Sequence, residues 1–251
     1  TRLHNAIASA GGMRCGVQLA RGYAAQRWAF GRRLEDQPLQ RQVILQMAVK
    51  AEAVLLMTMR LAALMGRIEC GVASEEERLV FRVGTSLTKL YTAKQAVALA
   101  SEAIEAFGGA GYMEDTGIAR LLRDAQVLPI WEGTTNVLSL DTLRVLAKPG
   151  VAESFLDEVT RLGSARRAVA ADLLGKVAGQ EPEVAQRLGR RLAYALSEAW
   201  VGGLLREAAD RGERENAVAE LWESDCEPRL GEADGFDLVV DGTAGAVGLP
   251  A

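Results

Sequence analysis

The sequence predicts an all-α protein, and three observations support this fold class. Apolar residues recur every three or four positions, which is the spacing of an amphipathic helix. Alanine, leucine, arginine and glutamate dominate, and the strand-like alternation of β-branched residues is nearly absent. The 251 residues are 49% hydrophobic, so the chain is long enough to bury a sizeable core.

Two helices are expected at the start of the chain. The first covers residues 2–29 and is rich in alanine and glycine, so a neighbouring backbone could approach it closely. The second follows a cap at Asp36 or Gln37, has Pro38 in its first turn, and extends to about Cys70. Proline is tolerated in a first turn because the N–H that it lacks would have no helical partner there.

A long third helix and two shorter ones should follow. Ser74 and Glu77 form a capping-box pattern, and the helix that they begin runs to Phe107, roughly 50 Å at 1.5 Å per residue. Glycines end it. The shorter helices are expected over residues 116–126 and from Thr134 or Thr135 to just before Pro149.

Long antiparallel helices joined by short turns predict a four-helix bundle, with residues 108–136 as a loop region at its end. We expect the bundle to cover residues 1–148 and a helical extension with a Gly-rich tail to cover residues 149–251. Residues 1–150 carry 18 Lys plus Arg against 14 Asp plus Glu, a balance of +4. Residues 151–251 carry 11 against 19, a balance of −8.

Cysteine content and hydropathy point to a reducing, cytoplasmic environment. Cys15, Cys70 and Cys226 lie far apart and come with a single histidine, so we expect neither a disulfide framework nor a metal site. No leader-like segment opens the chain, and no apolar run reaches bilayer-spanning length, so no membrane association is expected. The chain begins at Thr1 within a helical pattern, which suggests a piece of a longer protein.

The first of three motifs is RWAFGRRLEDQPLQ, residues 27–40. It can be explained as a helix end in which Gly31 provides a left-handed cap and the arginines complement the helix dipole. Alternatively, Arg27 and Phe30 present a guanidinium fork and an apolar face to a phosphate-bearing cofactor.

The second motif is EAFGGAGY, residues 105–112, with three glycines in four positions. A Gly-rich helix stop explains it. No strand precedes it and its spacing differs from GxGxxG, so it is not a dinucleotide-binding fingerprint. The alternative is that backbone without side chains lets another group, such as an adenosine, lie directly on the chain.

The third motif surrounds Glu132 in VLPIWEGTTNVLSLDTLRVL, residues 127–146. Glu132 can be a surface acid beside an ordinary N-cap at Thr134. The other interpretation is a base held in an apolar wall, because desolvation favours proton uptake by a carboxylate. The residues that would form this wall are Val127, Leu128, Ile130 and Trp131.

In this order and spacing, the motifs resemble the C-terminal half of the acyl-CoA dehydrogenases, a flavoprotein family. The resemblance covers about residues 2–147, and FGGAGYMEDTGIARLLRDAQVLPIWEGTTN carries most of it. It implies α,β-dehydrogenation of an acyl-CoA thioester, in which a glutamate removes the α-proton and the β-hydrogen leaves as hydride to FAD. Glu132 matches the position of that base in many members, and its backbone N–H would help to polarise the thioester carbonyl.

The resemblance also implies cofactor and substrate contacts. The residues from the first motif match ones that reach the FAD of a partner subunit, and residues 105–109 match the segment along its adenosine part. A Thr-x-Asn pair matches a Thr-x-Gln pair that contacts FAD, and an arginine near the start matches one close to the active site. The implied FAD contacts are Arg27, Phe30, Glu105, Gly108, Gly109, Thr134 and Asn136, and the implied substrate contacts are Arg2 and Gly133.

The chain departs from the family pattern at three cofactor positions, since members often have glutamine where it has Pro38, Glu105 and Asn136. These changes, the Trp before Glu132 and the extra helical region resemble a subgroup that includes the bacterial alkylation-response flavoprotein, with weak dehydrogenase activity and DNA-binding behaviour. The family's N-terminal helical domain and middle β-domain have no counterpart in these residues.

We therefore expect the C-terminal portion of an acyl-CoA dehydrogenase that forms a homodimer or homotetramer and passes electrons to an electron-transfer flavoprotein. Two alternatives are a flavin-bearing, nucleic-acid-associated protein and an oligomerisation module. The −8 balance of the extension disfavours nucleic acid as a partner. Arg187, Arg190 and Arg191 form either a local basic patch or a solvated helix face.

Overall fold

The computed structural model describes residues 1–225 and 236–241, and the described chain is almost entirely helical, which confirms the all-α prediction. Two short strands, β1 (Trp28–Ala29) and β2 (Arg32–Arg33), form one hairpin. The helices are α1 (Arg2–Gln26), α2 (Pro38–Glu69), α3 (Glu75–Ala106), α4 (Gly109–Tyr112), α5 (Ile118–Val127), α6 (Thr135–Leu146), α7 (Val151–Arg161), α8 (Arg167–Val177), α9 (Pro182–Ala209) and α10 (Glu213–Glu223). Single 3₁₀ turns lie at Leu34–Asp36 and Glu114–Thr116, and a π-helical turn lies at Asp237–Asp241.

The long helices begin where their capping residues predict. α2 starts at Pro38, in its first turn. Before α3, the backbone N–H of Glu77 donates to Ser74 Oγ at 3.2 Å, and the N–H of Ser74 donates to Glu77 Oε2 at 2.9 Å. This reciprocal pair confirms the capping box.

The end of the first helix was predicted wrongly. α1 stops at Gln26, and the chain turns back through Phe30 and Gly31, whose φ angles are 54° and 83°. Positive φ at both central residues suits a two-residue hairpin turn, so Ala29 pairs with Arg32. Gly31 is therefore part of a hairpin and not a helix cap.

α1 and α3 run in the same direction and pack closely. Near the start of α1, Arg2 contacts Ser86 of α3, and near its end the Tyr23 ring stacks on Phe107 with centroids 4.3 Å apart. Between these contacts, a Cβ on Gly16 would lie 2.7 Å from Leu99 Cδ2. The small residues of α1 therefore allow the close approach that the sequence predicts.

The helices after residue 150 pack against the bundle and share its hydrophobic core. Trp200 of α9 is fully buried against Gly84 of α3, where a Cβ would lie 2.7 Å from the indole. Ion pairs join α2 to the extension, from Arg60 to Glu158 at 2.9 Å and from Arg214 to Glu52 at 3.1 Å. The division at residue 148 remains a prediction.

Part of the expected Gly-rich tail is described and packs against the protein. Phe236 is buried beneath the Arg41 guanidinium, 4.1 Å from its ring centroid, and Val239 and Val240 are buried beside it. The remainder of that tail lies outside the described residues, and so does Cys226. Cys15 and Cys70 are free thiols on the surface.

Two searches of the described residues bear on membranes and metals. None of the helices in the described ranges combines the length and apolarity needed to cross a bilayer. No group of three or more His, Cys, Asp or Glu in those ranges is arranged to hold a metal ion.

Candidate functional site

The loop that carries Glu132 has an unusual backbone. Glu132 has a φ of 59° and Gly133 a φ of 108°. The left-handed region costs a residue with a Cβ about 1–2 kcal/mol, and such strain persists only where the surroundings enforce it. A strained glutamate between a short helix and the start of α6 is therefore a candidate for function.

A buried lysine holds this loop. Lys89 of α3 is fully buried, and its Nζ donates to the carbonyl oxygen of Gly133 at 2.6 Å. Burial and, to a lesser extent, the charge of Arg2 lower the pKa of Lys89, the charge of Glu132 raises it, and the resulting pKa is about 8. Lys89 was not predicted from the sequence, because only the packing of α3 shows that a lysine lies on its buried side.

Arg2 belongs to a second polar group beside Lys89. One guanidinium nitrogen donates to Asp141 Oδ2 at 2.6 Å and to Ser86 Oγ at 3.0 Å, and Ser86 Oγ donates to the same carboxylate at 2.7 Å. Burial alone would raise the pKa of Asp141, but hydrogen bonds from Ser86, Arg2 and Arg144 outweigh it and lower this pKa to about 2. Arg2 is thus held in place by a carboxylate that was not predicted from the sequence either.

The Glu132 carboxylate lies in open solvent, and the predicted apolar wall is wrong for the described chain. Val127, Ile130 and Trp131 are exposed by 40% or more, and of the predicted wall only Leu128 is buried. These residues form a tight turn, in which the N–H groups of Ile130 and Trp131 donate to the Val127 carbonyl oxygen. Any desolvation of Glu132 would have to come from a group placed over it.

Glu132 is also free of partners within residues 1–225 and 236–241. Neither its carboxylate nor its backbone N–H forms a hydrogen bond or an ion pair to any described residue. The acid therefore can accept a proton, and the N–H can donate to a ligand.

Thr134 and Asn136 lie directly after this loop, and both are exposed. Thr134 has the extended backbone of an N-cap residue, with φ −64° and ψ 164°, but its side chain makes no capping hydrogen bond. The simple N-cap interpretation therefore accounts for the backbone of Thr134 and not for its hydroxyl.

The remaining candidates lie near the C-terminal end of α3, whereas Lys89 lies near its middle. Phe30, at the hairpin tip, is 94% exposed, and Arg27 and Glu105 are exposed too. A Cβ built on Gly108 or Gly109 would meet no atom within 4 Å, so their backbone faces open space.

The structure thus separates the candidates into two groups. Tyr23 stacks on Phe107 and so brings the hairpin end of α1 to the end of α3, whereas Lys89 and Arg2 mark the other group. Lys89 and Phe107 are 18 residues apart on one helix, or about 27 Å. The group at the Lys89 end contains Arg2, Glu132, Gly133, Thr134 and Asn136, and the group at the Phe107 end contains Arg27, Phe30, Glu105, Gly108 and Gly109.

Gly111 shows a glycine requirement that the motif alone did not reveal. A Cβ at this position would lie 2.1 Å from the carbonyl oxygen of Ile104, so no other residue fits without movement of the backbone. Packing thus accounts for Gly111, and the positive φ of 59° accounts for Gly108, whereas neither reason applies to Gly109.

Comparison with known proteins gives both sequence and structural relatives. Acyl-CoA dehydrogenase family member 11 of Caenorhabditis elegans is 48% identical over 163 residues, which are 64% of this chain and 26% of that protein. Putative acyl-CoA dehydrogenase AidB of Escherichia coli (strain K12) is 30% identical over 245 residues, which are 98% of this chain and 44% of that protein. The chain therefore spans less than half the length of these relatives.

Solved structures with a similar fold come from proteins of the same kind. The crystal structure of Caenorhabditis elegans ACDH-11 in complex with C11-CoA matches 97% of this chain and 45% of that one, with a TM-score of 0.81 and 33% identity. An acyl-CoA dehydrogenase from Bacillus anthracis complexed with FAD shares the fold over 99% of this chain and 49% of that one, with a TM-score of 0.70 and 17% identity. Residues 1–147 match the family model for the acyl-CoA dehydrogenase C-terminal domain, and the chain belongs to the acyl-CoA dehydrogenase family.

Proposed function

We propose that this chain supplies the base-bearing C-terminal part of an FAD-dependent acyl-CoA dehydrogenase. The observation that carries the proposal is Glu132, which matches the family's base position. It stands on strained backbone next to a buried lysine, and its carboxylate and N–H are both without partners among the described residues. Family membership supports the reaction class, and the C11-CoA in complex with ACDH-11 supports an acyl-CoA as substrate.

The chain's own contribution to the reaction is a proton transfer. The Glu132 carboxylate takes the α-proton of the acyl thioester, and the Glu132 N–H donates to the thioester carbonyl, which stabilises the charge that develops there. Bound FAD would supply the acceptor for the β-hydrogen, which leaves as hydride. Bound substrate and cofactor would also cover Glu132 and provide the desolvation that the chain alone lacks.

The residues of both groups fit parts of an FAD. The open backbone of Gly108 and Gly109 allows an adenosine to lie against it, Arg27 offers a guanidinium to phosphate, and the Thr134 hydroxyl is not used in capping. Glu105 is the exception, because its negative charge would lie near an anionic cofactor.

The separation of these two groups supports a homo-oligomer. The Lys89 and Phe107 positions lie about 27 Å apart along α3. Residues near one position therefore cannot contact the same group of a cofactor as residues near the other. If each FAD takes the Glu132 end from one subunit and the hairpin end from another, both groups are used. We therefore favour a homodimer or a homotetramer, with an electron-transfer flavoprotein as acceptor and a cytoplasmic location.

Replacement of Glu132 by Gln in the whole FAD-loaded protein tests the function. Turnover of acyl-CoA with a dye acceptor should fall by several orders of magnitude, corresponding to several kcal/mol in the barrier, because the base is deleted and the shape is kept. The FAD absorbance should persist. Glu102→Gln, at an exposed position on α3, is the matched control and should keep full turnover. Wild-type turnover in Glu132→Gln would place the base elsewhere.

A nucleic-acid-associated flavoprotein is the second candidate, and one surface favours it. Arg187, Arg190 and Arg191 are all exposed on α9, and the Arg190 guanidinium lies 6.0 Å from the centroid of the Tyr194 ring. The acidic balance of residues 151–251 opposes it. Salt-dependent binding of duplex DNA that is lost on replacement of the three arginines would support this candidate.

A further inference from the structure

Lys89 is energetically unfavourable at its buried position. Lysine is almost never fully buried unless it is paired, and Lys89 is fully buried. No carboxylate of the described residues forms a salt bridge with it, and its hydrogen-bond acceptor among those residues is the Gly133 carbonyl. An apolar side chain of similar length would fill the same space without the cost of a desolvated charge. Stability of α3 alone therefore does not explain a lysine here.

The contact that Lys89 makes is with the strained turn. The ammonium lies 2.6 Å from the carbonyl oxygen of Gly133, the residue directly after Glu132. Glu132 has positive φ, which costs a residue with a Cβ, so the backbone of the turn has alternatives of lower energy. A short charge-assisted hydrogen bond from the rigid α3 opposes relaxation to those alternatives.

The charges around Lys89 also draw its ammonium towards the turn. Arg2, held by Asp141 and Ser86, repels the ammonium, and the Glu132 carboxylate attracts it. Ser86 lies three residues before Lys89 on α3, so the Arg2 guanidinium that it contacts and the Lys89 side chain lie on the same face of this helix.

From this geometry we infer that Lys89 is a positioning residue, which fixes the Glu132–Gly133 turn and so aims both the Glu132 carboxylate and the Glu132 N–H at the substrate. The inference rests on the proposed function in assigning Glu132 as the base. It adds that the base works only while the ammonium of Lys89 holds the Gly133 carbonyl. Lys89 itself exchanges no proton with the substrate in this mechanism.

The first test uses the 251-residue chain and needs no cofactor. Lys89→Met keeps an unbranched side chain and removes the ammonium. Amide hydrogen exchange of the peptide spanning residues 128–136 should become about tenfold faster, while the melting temperature stays equal or rises. Lys94→Met, a partly buried lysine on the same helix, is the matched control and should change neither. Unchanged exchange in the loop, or a general loss of stability without a local effect, would overturn the inference.

The second test uses the whole FAD-loaded protein with an acyl-CoA and a dye acceptor. Lys89→Met should lower kcat by about 100-fold, as expected for a misplaced catalytic group, with KM little changed and FAD retained. Added to Glu132→Gln, it should cause no further loss, because both changes remove the same function. An additive loss, or a change confined to KM, would contradict a role through Glu132.

The two tests separate failure of this inference from failure of the proposed function. A wild-type protein without dehydrogenase activity would refute the proposed function, and the exchange measurement would still decide whether Lys89 holds the turn. If the wild type is a dehydrogenase and Lys89→Met changes neither the loop exchange nor kcat, the proposed function stands and the positioning role is refuted.

Discussion

At the scale of single residues, the most informative feature is the left-handed backbone of Glu132, with φ 59°. If this conformation is enforced by its surroundings, Glu132→Gly should relieve it and raise the free energy of unfolding by about 1 kcal/mol. Glu102→Gly, about one turn before the C-terminal end of α3, should lower the free energy of unfolding by about the same amount. Urea unfolding of both variants checks the pair, and destabilisation by Glu132→Gly would mean that the turn is not strained.

Asp141 gives a pH dependence at the same scale. Its folded pKa of about 2 lies below its ordinary 3.8, so folding favours the ionised form. The resulting stabilisation, about 2 kcal/mol, is complete above roughly pH 4 and disappears as the pH falls towards 2. The difference in unfolding free energy between wild type and Asp141→Asn should therefore shrink on acidification. A difference that stays constant between about pH 5 and about pH 2 would contradict the hydrogen-bonded network around Arg2.

Residue identity predicted only part of the site. Glu132 stood out because an acid follows an apolar run and precedes a Gly-Thr-Thr turn, and Arg2 was implied by the family resemblance. Lys89 and Asp141 were not predicted, since nothing in a helical pattern shows which charged residue will be buried beside a distant loop. The sequence left open whether Glu132 is a surface acid or a base in an apolar wall, and only the structure shows that Glu132, Ile130 and Trp131 are all exposed.

At the scale of elements, glycines in helices give the sharpest prediction. A Cβ at Gly84 of α3 would lie 2.7 Å from the Trp200 indole, so Gly84→Ala should destabilise the protein by about 1–3 kcal/mol. At Gly66 of α2 nothing lies within 4 Å, so Gly66→Ala should stabilise it by about 0.5–1 kcal/mol. Thermal or urea unfolding measures whether each variant is destabilised or stabilised. Equal effects at the two positions would mean that α9 does not pack on α3 as described.

The elements themselves were largely predictable. Pro38 and the Ser74–Glu77 pair determine where α2 and α3 begin, and these are local interactions that a sequence displays directly. The hairpin after α1 was not predicted, because Phe30 is an uncommon residue at positive φ and the turn needs two such residues in succession. The docking of Trp200 into the space above Gly84 was not predictable either, since it joins residues more than 100 positions apart in the chain.

At the scale of the whole molecule, the exposed surface predicts self-association. Ile7, Leu19 and Met59 are each more than 40% exposed on α1 and α2, and a shallow apolar groove of about 250 Å³ lies between these helices. Covering such a surface is favourable, and a two-fold dimer is the commonest closed arrangement. Light scattering at micromolar concentration should give a mass of at least two chains, and a monomeric mass would contradict the prediction.

A divided cofactor site predicts weak flavin binding by the 251 residues alone. They span less than half the length of these relatives, and the two groups of candidate FAD contacts lie far apart along α3, one near its middle and one at its C-terminal end. The purified chain should therefore be colourless and should not oxidise acyl-CoA. An absorbance spectrum after gel filtration with added FAD checks this, and a stoichiometric flavin band would show that these residues hold the cofactor unaided.

The central claim is that Glu132 removes the α-proton, and exchange of that proton with solvent tests it most directly. The whole FAD-loaded protein is incubated with an acyl-CoA in D₂O without an electron acceptor, and deuterium at the α-carbon is followed by mass spectrometry. We predict that the wild type and Glu102→Gln incorporate deuterium, whereas Glu132→Gln, with FAD still bound, does not. Incorporation at the wild-type rate by Glu132→Gln would show that another group is the base.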